Sequence, residues 1–258
     1  MNSGCVIFLL VGKRNVGRSK PLPYKNQNDF LLNNSCVDYT LCTIVQKILN
    51  LRQICLYNAG IGFGRFQRML DDFPVDVLHE TIADFHNTPK RVENLKKAIA
   101  EDKMGRAEDV KEDIDFVLEC AEFADVVTSG IARGDIPVRV THNDTKINNI
   151  LFDANTGEAV AVIDLDTVMQ GSALYDFGDA LRMGASTAAE DEIDLDIVKF
   201  DIEAFAAFAK GFLSETKDVL TKTEIQLLPF SVKLLTYECG IRFLTDVILL
   251  LLRILRKR

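Results

Sequence analysis

The sequence predicts an α+β fold that is mostly helical and contains a short β-hairpin. Two observations support this prediction. Apolar residues recur at helical spacing over most of the chain after residue 59, whereas residues 136–164 contain short β-rich runs that a turn interrupts. The 258 residues are 48% hydrophobic, so the chain can bury the core of one or two globular domains.

The hairpin is predicted from three successive segments. Residues 149–152 and 159–164 are β-rich, and residues 153–157 between them have the composition of a turn. The last residue of that turn is a glycine, which can adopt the positive φ that such turns need. A hairpin of this kind carries Asn149 at its beginning and Asp164 at its end towards one place.

The loop before the hairpin has the spacing of a phosphoryl-transfer site. His142, Asp144 and Asn149 form an H-x-D-x-x-x-x-N pattern, and Asp164 follows the second strand. Phosphoryl transfer needs a carboxylate that accepts the proton of the attacking hydroxyl, and oxygen ligands that hold Mg²⁺ against the phosphates. The pattern therefore predicts Asp144 as catalytic base, and Asn149 and Asp164 as Mg²⁺ ligands. Lys146 can neutralise charge on the transferred group.

The segments THNDTKINNILFD and VIDLDTVMQGSALYDFGDALR resemble the aminoglycoside phosphotransferase and choline kinase superfamily. Within it they are most similar to the N-acetylhexosamine 1-kinase-like sugar kinases, and the resemblance extends from Tyr57 to Asp246. It implies a protein-kinase-like fold whose mostly helical C-terminal lobe carries the catalytic hairpin. It also implies that ATP and Mg²⁺ are used to phosphorylate a small molecule, in this group at the anomeric hydroxyl of an N-acetylhexosamine. The alternatives are an aminoglycoside, choline or homoserine kinase, and an inactive kinase-like fragment that acts only as a binding module.

The same resemblance implies roles for further residues. Asp166 is an accessory carboxylate of the metal site, and His142 supports the loop. Asp176 is expected to brace the catalytic loop from a helix start, although it also begins a D-F-G sequence, the metal motif of protein kinases. His86 and Arg242 are candidates for substrate binding. The alternatives are a histidine bonded to the backbone and a surface or ion-paired arginine.

Helices are predicted over most of the remaining chain. The glycine-rich segment 59–70 has apolar residues at helical spacing, so it is interpreted as a core helix and not as a phosphate loop. Thr88, followed by a proline, is predicted to cap a second helix. Thr221 and Glu224 match the capping box of the last one. Further helices are predicted over residues 40–51, over residues 108–129 with Gly130 ending that helix, and over residues 193–213.

The composition changes near residue 58. The first 58 residues carry an excess of positive charge and four of the six cysteines, whereas the whole chain has a net charge of −8. We therefore predict a divergent or truncated N-terminal lobe remnant at residues 1–58 and the catalytic lobe at residues 59–258. Residues 12–19 approach a P-loop, but Arg18 replaces its lysine and prolines follow where a helix is needed. Weak ATP binding is expected, because no lysine–glutamate pair of the kinase type occurs in this remnant.

Charge and cysteine usage restrict the partners. The net charge of −8 argues against nucleic acid as the main partner, and a small-molecule substrate is expected instead. The cysteines show no C-x-x-C spacing, so neither a disulfide framework nor a zinc site is predicted, and a cytoplasmic location is expected. Residues 247–252 form an apolar run far shorter than the ~20 residues of a membrane span, so no membrane association is predicted. Residues 5–11 lack the basic start of a secretory signal.

Overall fold

The structure is a computed structural model that describes residues 37–189 and 192–249, with side chains from residue 51 onwards. Within these ranges two small antiparallel sheets accompany a larger set of helices, which is the predicted α+β class and is compatible with a kinase-like fold. The helices are α1 (Val37–Met69), α2 (Thr88–Glu101), α3 (Lys111–Glu119), α4 (Val126–Arg133), α5 (Ala173–Gly184), α6 (Ile202–Thr216) and α7 (Lys222–Leu249). The strands are β1 (Arg139–Thr141), β2 (Ile150–Phe152), β3 (Ala159–Val162) and β4 (Met169–Gly171).

Glycines allow α1 and α6 to pack backbone against backbone. A Cβ atom added to Gly60 would approach the carbonyl oxygen of Phe208 more closely than real side chains do, and one added to Gly211 would do the same to the carbonyl oxygen of Tyr57. The glycine-rich segment is therefore a core helix, as predicted, and its glycines serve helix packing.

The main core surrounds α5, whose residues 173–181 are all buried. The ring of Phe177 contacts the rings of Phe208 and Phe212 on α6, with centroids 5.6 Å and 5.3 Å apart. A second apolar cluster joins α2 and α3 to the C-terminal half of α7 through residues such as Leu95 and Ile241. The two clusters hold α5 and α7 side by side, and the loop before β2 lies against α5.

Two short sheets flank that loop. β2 pairs with β3, Ile150 lies opposite Val162, and Gly157 in the turn has a φ of 72°. This is the predicted hairpin. β1 pairs with β4, and Val140 lies opposite Gln170. The sequence predicts a β-rich run at residues 136–140, which overlaps β1, but it did not predict β4 or the pairing, because strands of three residues are too short to show a periodic pattern.

The prediction of a single helix over residues 108–129 is wrong. α3 ends at Glu119, a 3-10 turn covers Cys120–Phe123, and α4 begins at Val126. Gly130 lies inside α4, where it packs against Ile136, and Gly134 with a φ of 79° ends the helix. A left-handed residue after the last turn is the usual place for glycine.

Two predicted helix starts also differ from the structure, because Asn87 and Asp201 cap the helices. Asn87, and not Thr88, accepts the N–H of Lys90 at the start of α2. α6 begins at Ile202, because Asp201 accepts the N–H groups at the start of that helix. The capping box of α7 is confirmed by a 2.8 Å bond from the N–H of Thr221 to Glu224 and a 3.2 Å bond from the N–H of Glu224 to Thr221.

α1 contains the helix predicted over residues 40–51 and continues without a break through residue 58, where the composition changes. The P-loop-like residues 12–19 and the rest of residues 1–36 lie outside the described residues, as do residues 250–258. None of the described helices is both long enough and apolar enough to span a bilayer.

We expect Gly211→Ala to destabilise the fold. Alanine favours a helix over glycine by about 1 kcal/mol. The added methyl group nevertheless has no room beside the carbonyl oxygen of Tyr57, and overpacking of this kind costs about 1–3 kcal/mol or more. Urea unfolding measures the difference. Gly184→Ala is the control, because its Cβ would meet no backbone atom but only the side chains of Leu56, at 3.2 Å, and Ile147, at 3.7 Å. Equal unfolding free energies for the two variants would contradict the packing role.

Candidate active site

Two carboxylates of α5 hold the loop between β1 and β2. Asp176 accepts hydrogen bonds from the backbone N–H groups of His142 at 3.0 Å and Asn143 at 2.8 Å. Asp179, one turn further along α5, accepts the N–H of Thr145 at 2.9 Å. The N-terminal end of a helix favours negative charge, so the position of Asp176 in the first turn suits a carboxylate, whereas Asp179 lies in the second turn. The backbone of residues 142–145 is therefore fixed at three of its four N–H groups.

Gln67 of α1 supplies a third donor to Asp176, with Nε2 at 2.6 Å, and also donates to the carbonyl oxygen of Val140 at 3.1 Å. Burial raises the pKa of Asp176, and the N–H groups that point at its carboxylate oppose this shift. Sequence analysis missed both Gln67 and Asp179. The spacing of Asp176 and Asp179 by three residues, which places them on one face of a helix, was a signal for the latter, whereas nothing local identified Gln67.

The imidazole of His142 connects the loop to the hairpin. Its Nε2 lies 2.9 Å from the carbonyl oxygen of Ile163 and therefore carries the proton. Its Nδ1 then accepts the N–H of Asp144 at 3.3 Å. Two phenylalanine rings of α1 pack edge-on against the buried ring. Because Ile163 directly precedes Asp164, His142 also holds the end of β3 beside the loop.

Three residues of the predicted catalytic loop lie together. The Asp144 side chain is 23% exposed, and its Oδ1 lies 2.8 Å from Nζ of Lys146. Nδ2 of Asn149 donates to the backbone carbonyl of Asp144 at 2.8 Å and to its Oδ2 at 3.3 Å. The loop thus presents a partly exposed carboxylate with one ammonium and one amide beside it.

The predicted metal residues lie at the two ends of the hairpin. The N–H of Ile163 donates to the carbonyl of Asn149 at 2.9 Å, so the backbone joins Asn149 to the residue before Asp164. Asp164 has left-handed φ and ψ of 63° and 59° and is exposed, as is Asp166 in the 3-10 turn that follows. In the described ranges, no group of three His, Cys, Asp or Glu side chains is arranged to hold a metal.

The chemistry of these residues nevertheless fits Mg²⁺. Asn149 uses its amide nitrogen to bind the loop, and its Oδ1 accepts no hydrogen bond from the residues described here. The carboxylate of Asp164 has no hydrogen-bond or ion-pair partner in the same ranges. An amide oxygen and a carboxylate are hard oxygen ligands, which Mg²⁺ prefers. Exposed Asp166 can add a second carboxylate.

His86 forms hydrogen bonds with both ring nitrogens. Nδ1 lies 2.8 Å from Oε1 of Glu238 on α7, and Nε2 lies 3.3 Å from the carbonyl oxygen of Asn143. Since a carboxylate and a carbonyl are both acceptors, this arrangement favours the doubly protonated ring. Burial opposes this charge, but Glu238, Asp179 and the Asn143 carbonyl together outweigh it and raise the pKa of His86.

The carboxylate of Glu238 is the matching anion. Burial alone would raise the pKa of Glu238, but the charge and hydrogen bond of His86, the charge of Arg91 and the hydroxyl of Thr88 hold it below its usual value. The Thr88 hydroxyl donates to Oε2 at 2.6 Å. Sequence analysis did not identify Glu238 as part of the site.

Two cavities meet at Phe85, His86 and Asn143. The smaller, of about 100 Å³, contains Asp144 and is rich in charged side chains: Arg91, Lys146, Asp179, Arg182, Glu238 and Arg242. The larger, of about 330 Å³, is mostly apolar and neutral, with two carboxylates among its lining residues: Glu80, Ile82, Asp84, Asn87, Thr128, Ile131, Val138, Met169, Gln170, Gly171 and Tyr175.

Both residues predicted for the acceptor line the smaller cavity. Arg242 is exposed there; its guanidinium lies over the ring of Phe243 at 5.2 Å and 3.9 Å from the sulfur of Cys239. His86 lies between the cavities, with both nitrogens already bonded within the protein. The structure thus brings Asp144, Lys146, His86 and Arg242 to one cavity, while Asn149 and Asp164 lie at the hairpin.

A family model described as APH, the phosphotransferase enzyme family, matches residues 53–210. The match covers more than half of the chain and includes the catalytic loop, the hairpin and α5. The chain belongs to this family. The superfamily that the sequence motifs indicated is thereby confirmed.

The unfolding free energy should depend on pH through His86 and Glu238. The raised pKa of His86 gives stability that is complete below its unfolded value of about 6.5 and is lost as pH rises through the folded value. The lowered pKa of Glu238 gives stability that is present above its unfolded value and is lost as pH falls through the folded value.

Urea unfolding of the wild type and His86→Gln, from about pH 4 to about pH 9, measures this dependence. The difference between the two should be greatest in mildly acidic solution, where both partners are charged, and should decrease at both ends of the range. A difference that stays constant with pH would show that the pair is not ionised.

Proposed function

We propose that this member of the phosphotransferase family transfers the γ-phosphoryl group of ATP to a hydroxyl of a small molecule, with Asp144 as the base. One observation carries the proposal: Asp144, Lys146 and Asn149 are in contact within one loop, and a backbone hydrogen bond joins Asn149 to Ile163, the residue before Asp164. A base, a cation and oxygen ligands for Mg²⁺ are the groups that phosphoryl transfer requires.

In the proposed reaction, Asp144 accepts the proton of the attacking hydroxyl. The hydroxyl oxygen forms the new bond to phosphorus, and the bond from phosphorus to ADP breaks. Lys146, with Nζ beside Asp144, neutralises charge on the transferred group. Asn149 and Asp164, with Asp166 as an accessory, are the residues that would hold Mg²⁺, which supplies charge neutralisation at the phosphates.

Exposed apolar side chains close to the metal residues in the sequence support a nucleotide site. Leu151 and Ile163 are 47% and 37% exposed, and each lies within two residues of Asn149 or Asp164 in the sequence. A planar base needs an apolar surface of this kind, because ligand sites combine apolar walls with a few fixed polar groups. A cytoplasmic location is part of the proposal, since ATP is available there and the described cysteines are free thiols.

We infer that the acceptor enters the cavity that contains Asp144 and extends towards the larger cavity. The first cavity offers charged donors and acceptors suited to several hydroxyl groups, among them the exposed guanidinium of Arg242. The proposed acceptor is an N-acetylhexosamine, phosphorylated at its anomeric hydroxyl, and the resemblance of the motifs to that group of kinases supports it. An aminoglycoside, choline or homoserine is the alternative acceptor.

Asp144→Asn should reduce kcat/KM by about 10²–10⁴-fold, because general base catalysis contributes that much. ATP binding should change little, since the carboxylate acts on the acceptor. Transfer of label from γ-labelled ATP to a panel of amino sugars, aminoglycosides, choline and homoserine measures turnover and identifies the acceptor. Asp115→Asn, at an exposed position of α3, is the control and should retain wild-type activity.

Two results would contradict the proposal. Turnover that survives in Asp144→Asn would remove Asp144 as the base. A wild-type chain that binds ATP and Mg²⁺ but labels no acceptor would instead identify the binding-module alternative.

Asp164→Asn should raise the Mg²⁺ concentration for half-maximal activity by at least about tenfold, because the site loses one of its charged ligands. A Mg²⁺ titration of turnover at saturating ATP measures this. Glu158→Gln removes an exposed carboxylate from the same hairpin and should leave the titration unchanged. Coincident titration curves for Asp164→Asn and the wild type would remove Asp164 from the metal site.

A further inference from the structure

The residue before the proposed base is held at every polar group. Asn143 has a φ of 65°, a left-handed conformation that costs energy for any residue except glycine. Its N–H donates to Asp176, and its side chain bonds Thr141 and the carbonyl oxygen of Thr167. The one polar group left, its carbonyl oxygen, accepts the Nε2 proton of His86 at 3.3 Å. Surrounding contacts thus impose a strained conformation directly before the base.

The bond from His86 acts on the peptide plane that leads to the base. The carbonyl oxygen of Asn143 and the N–H of Asp144 belong to the same peptide bond, which is planar. His86 holds the carbonyl end, and Nδ1 of His142 accepts the N–H end at 3.3 Å. Two histidines therefore define the orientation of this plane, and the plane sets the direction in which the side chain of Asp144 leaves the loop.

The ring of His86 is itself fixed from three sides. Its side chain is 9% exposed, and it stacks on Tyr175 with ring centroids 4.7 Å apart. Nδ1 is bound to Glu238, which also accepts the hydroxyl of Thr88 and lies 3.4 Å from Arg91. If His86 turned away, Glu238 would lose its closest cation inside the protein, which is a strongly unfavourable change. The ring is thus a rigid support for the Asn143 carbonyl.

We propose that His86 is a positioning residue for phosphoryl transfer: its ring, bonded on one side to Glu238 and on the other to the Asn143 carbonyl, fixes the peptide bond that orients Asp144. The inference rests on the proposed function and assigns His86 a role other than binding the acceptor, since neither ring nitrogen is left for a ligand. His86 also lines both cavities. The ring of His86 thus connects the wall of both cavities to the peptide bond before Asp144.

Two amide variants separate the two bonds of the ring. In His86→Asn the side-chain nitrogen takes approximately the place of Nδ1, so the donor to Glu238 is kept and the donor to Asn143 is lost. In His86→Gln the nitrogen reaches the place of Nε2, so the donor to Asn143 is kept. Both variants lose the charge of the ring, and their unfolding free energies should therefore fall by similar amounts.

We expect His86→Asn to lower kcat by about 10–100-fold, because small misplacements of a catalytic group have effects of this size. Its KM for the acceptor should stay within about threefold of wild type, and His86→Gln should keep kcat within about threefold. Equal losses of kcat in both variants, in proportion to their losses of stability, would assign His86 a structural role only. A raised KM with unchanged kcat would assign it to acceptor binding. Either result overturns the proposal.

An NMR measurement that needs no turnover can test the positioning role of His86 separately from the proposed function. The chain has 3 histidines, so ¹⁵N NMR can assign their rings and the amide of Asp144 in the full-length protein. The Asp144 amide, which shares a peptide bond with the Asn143 carbonyl, should shift in His86→Asn and stay near its wild-type position in His86→Gln. An Asp144 amide that moves in neither variant overturns the positioning role. If the wild-type chain transfers no phosphate although the Asp144 amide shifts as expected in His86→Asn, only the proposed function is overturned.

Discussion

Two carboxylates of α5 satisfy three of the four backbone N–H groups of residues 142–145, and the geometry of the site depends on these bonds. Residues 173–181 are all buried, so both Asp176 and Asp179 lie where a charge is unfavourable unless it is hydrogen-bonded. Asp176 accepts two loop N–H groups, and Asp179 accepts one while pairing with Arg182 at 3.3 Å. A buried N–H without a partner costs about 1–3 kcal/mol. Loop and helix therefore stabilise each other, and neither can shift alone.

The same constraint connects the site to helix packing far from it. Gln67 donates to Asp176 from α1, and α1 is placed by the close backbone contact of its glycines with α6. On the opposite side, α7 contributes Glu238, which bonds His86 and thereby reaches the Asn143 carbonyl. Thus α5 and side chains from α1 and α7 together hold the loop. The side chain of the proposed base is nevertheless 23% exposed. Preorganised catalysis needs this combination of a rigidly held loop and one accessible carboxylate.

The sequence predicted what depends on local spacing and missed what depends on distant contacts. The order of Asp144, Asn149 and Asp164, the hairpin and the capping box of α7 all follow from residues near one another in the chain. Gln67 and Asp176 are 109 residues apart in the sequence, and Glu238 and His86 are 152 residues apart. No periodic pattern in the sequence indicates such distant pairs. For His86 the sequence left two alternatives, and the structure contains parts of both. Its ring is bonded to a backbone carbonyl, and it also lines the cavity that holds Asp144.

Lys146 has two partners in the proposed reaction, namely the carboxylate of Asp144 and the transferred phosphoryl group. Its Nζ lies 2.8 Å from Asp144, yet in the proposed reaction the same ammonium neutralises charge on the transferred phosphoryl group. The Lys146 side chain is 54% exposed, and exposed ion pairs contribute little to stability, so this ammonium can change partners at small cost. The amide of Asn149 and the peptide held by His86 keep Asp144 in place when it does. A mobile cation and a fixed carboxylate are therefore compatible, because separate groups position the base and compensate the charge.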